Sequence, residues 1–221
     1  MKSVRRWSLR ILVGLVVLDI AVVLLLRFIP PPTTVFMLTA DLHPVHYQWV
    51  DWKRIAATAP LAAVAAEDQR FPQHWGFDFG AIEAALLHNE HSRHVRGAST
   101  ISQQTAKNLF LWRGRSYLRK AIEAGFTLSL EALWSKRRIL EVYLNVAQFG
   151  PDVYGVEAAA HRYFGRSAAQ LDVHQAALLA AVLPNPVRYR VDHPSAYVLD
   201  RTAEIERQMR QLGGDYLRNL R

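Results

Sequence analysis

The sequence contains no cysteine, which excludes a disulfide scaffold and any zinc or iron site with cysteine ligands. Charged residues are also few, at 21% of the chain against 51% for hydrophobic residues. This balance excludes a disordered polyelectrolyte and indicates a packed domain. The length of 221 residues is ordinary for a chain with a single domain.

Acidic residues are outnumbered by basic ones, with 19 Asp and Glu against 27 Lys and Arg and a net charge of +8. Half of this excess comes from the first 30 residues. The rest of the chain is therefore only mildly basic, which is a weak indication of an anionic partner.

Strand signals are almost absent. From position 51 onward there is no sustained alternation of apolar and polar residues and no Asn-Gly or Asp-Gly turn, so a sheet has little support. Helix signals are frequent instead: Pro60 opens an Ala-rich stretch, and Asp78 precedes an apolar run with Phe79, Ile82 and Leu86 on one face. Further helix caps are predicted at Thr100, Asp172, Ser195 and Gly213. The predicted fold class is all-α.

A membrane-spanning helix is predicted near the N-terminus. The 16 residues between Arg10 and Arg27 carry Asp19 as their only charge. They give about 24 Å of helix against a hydrocarbon core of about 30 Å, and extension to Trp7 and Ile29, with Arg10 and Arg27 directed outward, supplies the difference. Asp19 costs about 2.5 to 3.5 kcal/mol of insertion free energy, which the many Leu, Ile and Val residues offset.

The distribution of basic residues predicts the orientation of this helix. Four Lys and Arg precede the span, whereas none occurs from Phe28 to Val50, so the N-terminus is expected in the cytoplasm and the remainder outside it. A cleaved signal peptide is the alternative, but the span is followed by Pro30 and two further prolines without a small-x-small cleavage site. The predicted organisation is a cytoplasmic tail over 1–10, a transmembrane anchor over 11–29, a linker and membrane-proximal segment over 30–50, and a helical domain over 51–221.

Two acidic residues, Glu67 and Asp68, close the Ala-rich helix that Pro60 opens. Desolvation by the apolar neighbours could raise the pKa of one carboxyl enough to make it a general base. Ordinary solvated charges at a helix end are the alternative, and these two residues alone favour that alternative.

Two further segments have both a structural and a functional interpretation. Thr100 and Gln103 have the spacing of a capping box, and the same helix N-terminus suits a phosphate. Arg115, Arg119 and Glu123 fall on one helical stripe with Lys120 beside it. Such a cluster could hold a diphosphate and assist its departure, or it could be a solvated face with an ordinary ion pair.

Two other patterns favour structural interpretations. The stripe Ile139, Leu140, Tyr143 and Leu144 is typical of core packing, and Glu141 lies four residues from a basic and an amide side chain. His88, His91 and His94 rotate off a common helix face, so they predict a mobile polar loop and no metal site.

Together these segments resemble the family 51 glycosyltransferases. The resemblance covers about residues 33–201 and rests on five motifs in register, which lie at 67–78, 97–104, 119–123, 136–145 and 176–186. It implies a lysozyme-like helical fold and the polymerisation of lipid II into β-1,4 glycan strands, with inversion at the anomeric carbon and release of undecaprenyl pyrophosphate. Ala98 and Gln175 depart from frequent family residues without touching the catalytic positions.

The resemblance also implies roles for individual residues. Glu67 corresponds to the general base, and Glu123 to the carboxylate near the leaving pyrophosphate. Asp68 and Arg70 would support the base. The other positions implied in substrate binding are Ser99, Thr100, Gln103, Gln104, Lys107, Arg115, Arg119 and Lys120.

The implied partners are lipid II, the growing glycan strand, the bacterial inner membrane and other cell-wall synthesis or division proteins. No tightly bound cofactor is implied, and a divalent cation, Mg or Mn, is left open. Transpeptidation is excluded because no Ser-x-x-Lys occurs. A membrane-bound lytic enzyme and a non-catalytic cell-wall scaffold are the alternatives, and the predicted topology excludes nucleic acid.

Overall fold

The computed structural model describes residues 2–91, 97–114 and 116–220. In these ranges nearly all of the regular secondary structure is helical. The α-helices are α1 (Lys2–Phe28), α2 (Val35–Leu38), α3 (Thr58–Glu67), α4 (Phe79–His91), α5 (Ile101–Phe110), α6 (Tyr117–Leu133), α7 (Lys136–Val146), α8 (Val156–Phe164), α9 (Val173–Val182) and α10 (Ala196–Leu212). Short 3₁₀ turns cover Trp52–Arg54 and Ala168–Gln170. The predicted helical class is confirmed.

The structure also contains a small sheet that the sequence analysis did not predict. Strand β1 (His46–Tyr47) pairs in parallel with β2 (Val153–Tyr154), with His46 opposite Val153. Two residues per strand are too few to show any alternation, and the pairing joins segments more than 100 residues apart. Such a sheet leaves no local signal in the sequence.

Most predicted helix boundaries are confirmed. Capping boxes form at Thr100 with Gln103 and at Asp172 with Gln175, and α10 ends at Gly213. Helix α3 begins two residues before Pro60, because the first turn of a helix does not need the missing proline N–H.

The predicted loop at the histidines is wrong in its first part. Helix α4 continues through His88 to His91, since no glycine or proline interrupts its sequence after position 80. His94 lies outside the residues that the structure describes.

The helices form two packed groups. Helix α3 packs on α9 and α10, while α5 packs on α6 and α7, and a contact between α3 and α7 joins the groups. Small side chains such as Ala62 and Ala63 on α3 and Ala177 and Ala181 on α9 are buried, and they allow the helix axes to approach closely. The C-terminal end of α3, which carries Glu67, faces α5, because Gln104 of α5 donates a hydrogen bond to Glu67.

The N-terminal helix is docked on the domain as well as long enough to cross a membrane. Its apolar part, Arg6–Phe28, has 23 residues. Val23 is fully buried, and the Trp134 indole N–H donates to its carbonyl oxygen at 2.7 Å. The Ser129 hydroxyl donates to the Asp19 carboxylate. A side chain that is costly in the predicted span thus has a partner on α6, which reduces that cost.

Glu141 connects three parts of the fold. One carboxylate oxygen accepts the backbone N–H of Trp52 at 2.7 Å, and the other accepts from Arg138 at 2.8 Å. The Arg138 guanidinium also donates to the carbonyl oxygens of Leu26, at 2.8 Å, and Ile29, at 3.2 Å. The structural role predicted for Glu141 is supported by these contacts.

We expect Glu141→Gln to lower the free energy of unfolding by about 1 to 3 kcal/mol, because it weakens a largely buried, charge-assisted hydrogen bond to Arg138. Thermal and urea unfolding of the purified chain would measure the loss. Glu83→Gln, at an exposed position of α4, is the matched control and should leave the stability unchanged. Equal stability of both variants and the wild type would contradict this role.

Candidate active site

Asp68 connects the end of α3 to the start of α5. Its carboxylate accepts the backbone N–H of Ile101 at 3.0 Å and the Nε2–H of His74 at 2.9 Å, and the residue is buried. A negative charge at the first turn of α5 also interacts favourably with the helix dipole. Asp68 therefore fixes where α5 lies relative to the neighbouring Glu67.

Glu67 is held by α5. Gln104 Nε2 donates to Glu67 Oε2 at 2.7 Å. Burial raises the pKa of Glu67 above its ordinary value of 4.5, and the nearby negative charge of Asp68 raises it further, whereas Gln104, Arg201 and Lys107 lower it. A desolvated carboxylate with a raised pKa has the properties of a general base.

A second buried carboxylate lies on α6. Glu123 is 2% exposed and accepts from Arg119 at 2.8 Å and from Lys120. Lys120 also donates to the hydroxyl of Ser99 at 3.4 Å. The predicted cluster of cations around one carboxylate therefore exists in the fold, although Arg115 lies outside the described residues.

The ammonium group of Lys107 interacts electrostatically with both carboxylates, Glu67 and Glu123. Burial lowers the pKa of its ammonium group, while the negative charges of Glu123 and Glu67 raise it and the positive charges of Arg119 and Lys120 lower it. Lys107 thus lies within electrostatic range of both carboxylates.

Two clefts open beside Glu67. The first cleft, of about 360 Å³, is lined by residues 65–70 and 97–100 and by α10 side chains that include Arg201. The second cleft, of about 240 Å³, is lined by Gln104, Lys107, Arg113, Tyr143 and residues 183–187. The hydrogen bond between Glu67 and Gln104 joins a residue that lines the first cleft to a residue that lines the second.

Three predicted site residues have different surroundings. The Thr100 hydroxyl donates to the Gly76 carbonyl oxygen at 2.6 Å, and Thr100 still lines the first cleft. Gln103 is buried and its side chain accepts the N–H of Thr100, so the structure does not bring it to either cleft wall. Arg70 lines the first cleft and pairs with Asp78 at 3.1 Å.

Sequence reasoning missed Arg201 and Arg113. Arg201 Nη2 donates to the carbonyl oxygen of Ala66 at 2.9 Å, next to Glu67. Arg113 donates to the hydroxyl of Tyr154 at 2.7 Å and lines the second cleft. Neither arginine belongs to one of the sequence motifs, although Arg113 lies only two residues before Arg115. Only the packing of distant segments brings each of them to the site.

Comparison with known proteins agrees with this geometry. The model of the family described as "Transglycosylase" matches residues 35–210. Relatives named "Biosynthetic peptidoglycan transglycosylase" include proteins of Cronobacter sakazakii, at 52% identity over 96% of this chain and 91% of the relative, and of Klebsiella oxytoca, at 53% over 97% and 93%. A third, from Pasteurella multocida, is 53% identical over 92% of this chain and 87% of the relative. The chain belongs to the transglycosylase family.

Proposed function

We propose that this protein is a peptidoglycan glycosyltransferase that polymerises lipid II into β-1,4 glycan strands for the bacterial cell wall. The observation that supports this proposal best is the desolvated carboxylate of Glu67, which lines the first cleft and accepts a hydrogen bond from Gln104 of the second cleft. The names of the relatives support the same activity. The proposal includes no transpeptidase activity, since the chain contains no Ser-x-x-Lys.

In the proposed reaction, Glu67 accepts the proton of the 4-hydroxyl of the acceptor N-acetylglucosamine. The oxygen forms a bond to the anomeric carbon of the donor as the bond from that carbon to undecaprenyl pyrophosphate breaks, and the configuration inverts. The raised pKa of Glu67 makes the carboxylate a stronger base than an exposed glutamate.

The leaving pyrophosphate needs its charge neutralised more than it needs a proton. Lys107, Arg119 and Lys120 supply positive charge, and Glu123 orients the last two through direct hydrogen bonds. Ser99 and Thr100 at the first cleft and Gln104 at the second would contact the sugars.

No tightly bound cofactor is part of the proposal. Among the described residues there is no group of three Asp, Glu or His side chains that could hold a metal ion. A divalent cation, magnesium or manganese, would therefore be bound chiefly by the substrate's pyrophosphate, and titration with a chelator would measure its effect on the rate.

The proposed location is the bacterial inner membrane, with one span, a cytoplasmic N-terminus and a periplasmic domain. The long apolar helix α1 and the basic residues that precede it support this topology. The contact of Trp134 with Val23 supports an anchor that stays attached to the domain. Such an anchor raises the effective concentration of enzyme near a lipid substrate. Other cell-wall synthesis or division proteins are proposed partners.

The test is incubation of the purified, detergent-solubilised full chain with labelled lipid II, followed by separation of the products on a gel. We expect a polymer that lysozyme digests, and β-lactams should not affect its formation. If no polymer forms but added glycan strands are cut, the protein is a lytic enzyme. If neither reaction occurs, a non-catalytic scaffold replaces the proposal.

A further inference from the structure

Tyr143 belongs to the apolar stripe of α7, but its hydroxyl group makes a polar contact. The residue is 1% exposed, as core packing predicts. Its hydroxyl group, however, donates to Gln104 Oε1 at 3.2 Å. A buried phenol needs such a partner, and this partner is the residue that donates to Glu67.

The direction of these hydrogen bonds is determined by chemistry. An ionised Glu67 can only accept, so the amide nitrogen of Gln104 must face it. Burial and the negative charges of Glu67 and Asp68 raise the pKa of Tyr143 well above 10.0. The phenol therefore keeps its proton and donates at every pH suitable for an assay, which leaves the amide oxygen of Gln104 directed at Tyr143.

We propose that Tyr143 is a positioning residue for the reaction, which acts through Gln104 to hold the carboxylate of Glu67 in place and ionised. This inference rests on the proposed role of Glu67 as the general base. Tyr143 lines the second cleft but is only 1% exposed, so it acts on the carboxylate through Gln104.

The other charged groups around Glu67 act without Tyr143. Asp68 follows it at the end of α3, Lys107 approaches from α5 and Arg201 from α10. Removing the phenol hydroxyl leaves these charges in place but takes away the donor to the amide oxygen of Gln104. The amide is then oriented only by the contacts of its nitrogen, with Glu67 at 2.7 Å and with the Ser99 carbonyl oxygen at 3.5 Å, and it rotates more easily. An amide oxygen turned toward Glu67 would disfavour its ionised form, so the pKa of Glu67 would rise.

Tyr143→Phe in the full-length chain tests this. We expect the acidic limb of the kcat profile to move to higher pH by about one unit, which is a loss of about tenfold on that limb. KM for lipid II should stay within about twofold, since uniform binding is not affected. The matched control is Tyr163→Phe, which removes a hydroxyl that donates to the Phe149 carbonyl oxygen at 3.1 Å, away from both clefts. It should leave the profile unchanged.

A second readout does not depend on activity. The difference in unfolding free energy between the wild type and Glu67→Gln, measured against pH, reports the titration of Glu67. The midpoint of this pH dependence should move to higher pH when Tyr143→Phe is introduced into both the wild type and the Glu67→Gln variant. Gln104→Leu, introduced in the same way, should move the midpoint in the same direction. In the Gln104→Leu background, Tyr143→Phe should add nothing further.

Two results would overturn the inference. One is a Tyr143→Phe variant with a lower kcat at every pH and an unchanged midpoint, which is the behaviour of a purely structural residue. The other is an additive effect of Tyr143→Phe in the Gln104→Leu background. Failure of the wild type to polymerise lipid II would reject the proposed function, whereas the titration of Glu67 would still test the contact through Gln104.

Discussion

Replacement of Glu67 by glutamine is expected to abolish polymerisation of lipid II and to leave the fold intact. The variant keeps the shape of the side chain and an oxygen that can accept from Gln104, but it cannot take a proton from the acceptor hydroxyl. Loss of a general base lowers kcat by about 100- to 10,000-fold. The measurement is the initial rate of polymer formation, with Glu83→Gln as the control that should retain full activity.

The same substitution makes a prediction about stability. Burial raises the pKa of Glu67 above 4.5, so the folded state binds this proton more tightly than the unfolded state does. The contribution of Glu67 to stability therefore falls as the pH rises from its ordinary pKa through the raised one, and at neutral pH the ionised group destabilises the fold.

We accordingly expect Glu67→Gln to unfold at a temperature equal to or above that of the wild type at neutral pH, with the difference disappearing in acid. This result would separate a catalytic loss from a folding defect. Wild-type kcat in the variant would show that another group is the base, and a strongly lowered melting temperature would contradict the argument from desolvation.

Replacement of Glu123 by glutamine should reduce kcat by about 100-fold or more, because preorganised charge at a leaving group is among the largest contributions to catalysis. Without the carboxylate, Arg119 and Lys120 repel each other and no longer hold their positions. We expect a loss of stability of about 3 kcal/mol, the lower end for a broken buried pair, since the Lys120 side chain is 45% exposed and can turn to solvent.

Glu131→Gln is the matched control for Glu123. Glu131 lies on the same helix, is buried, and accepts from Lys136 at 2.7 Å and from Ser102. The Glu131→Gln variant should lose about as much stability as Glu123→Gln but keep the wild-type kcat per folded molecule. Both variants are assayed below their melting temperatures. Equal losses of kcat in the two variants, or in Glu141→Gln as well, would indicate a general weakening of the fold and no special role for Glu123.

The helices themselves were largely predictable, because their signals are local. Capping at Thr100, Asp172 and Ser195 depends on residues three positions away, and the stop at Gly213 depends on one residue with φ of 82°. The apolar N-terminal helix follows from its composition alone. The paired strands at His46–Tyr47 and Val153–Tyr154 could not be predicted, since neither strand has enough residues to form a pattern.

The contacts of the candidate site also fall into two kinds: those within one helix could be predicted, and those between helices could not. The pairing of Arg119 and Lys120 with Glu123 follows from helical spacing. The contact of Gln104 with Glu67 spans 37 positions, and it depends on the angle at which α3 ends against α5.

The sequence by itself determined which residues are candidates for the chemistry, where most helices begin and end, and that one helix suits a membrane. Only the tertiary structure decided how these residues meet: that Asp68 joins α3 to α5, that Glu141 accepts the backbone N–H of Trp52, and that Tyr143 reaches Glu67 through Gln104. The reason is physical. Helix formation depends on neighbours within one turn, whereas a hydrogen bond between helices requires their packing to place two side chains within about 3 Å.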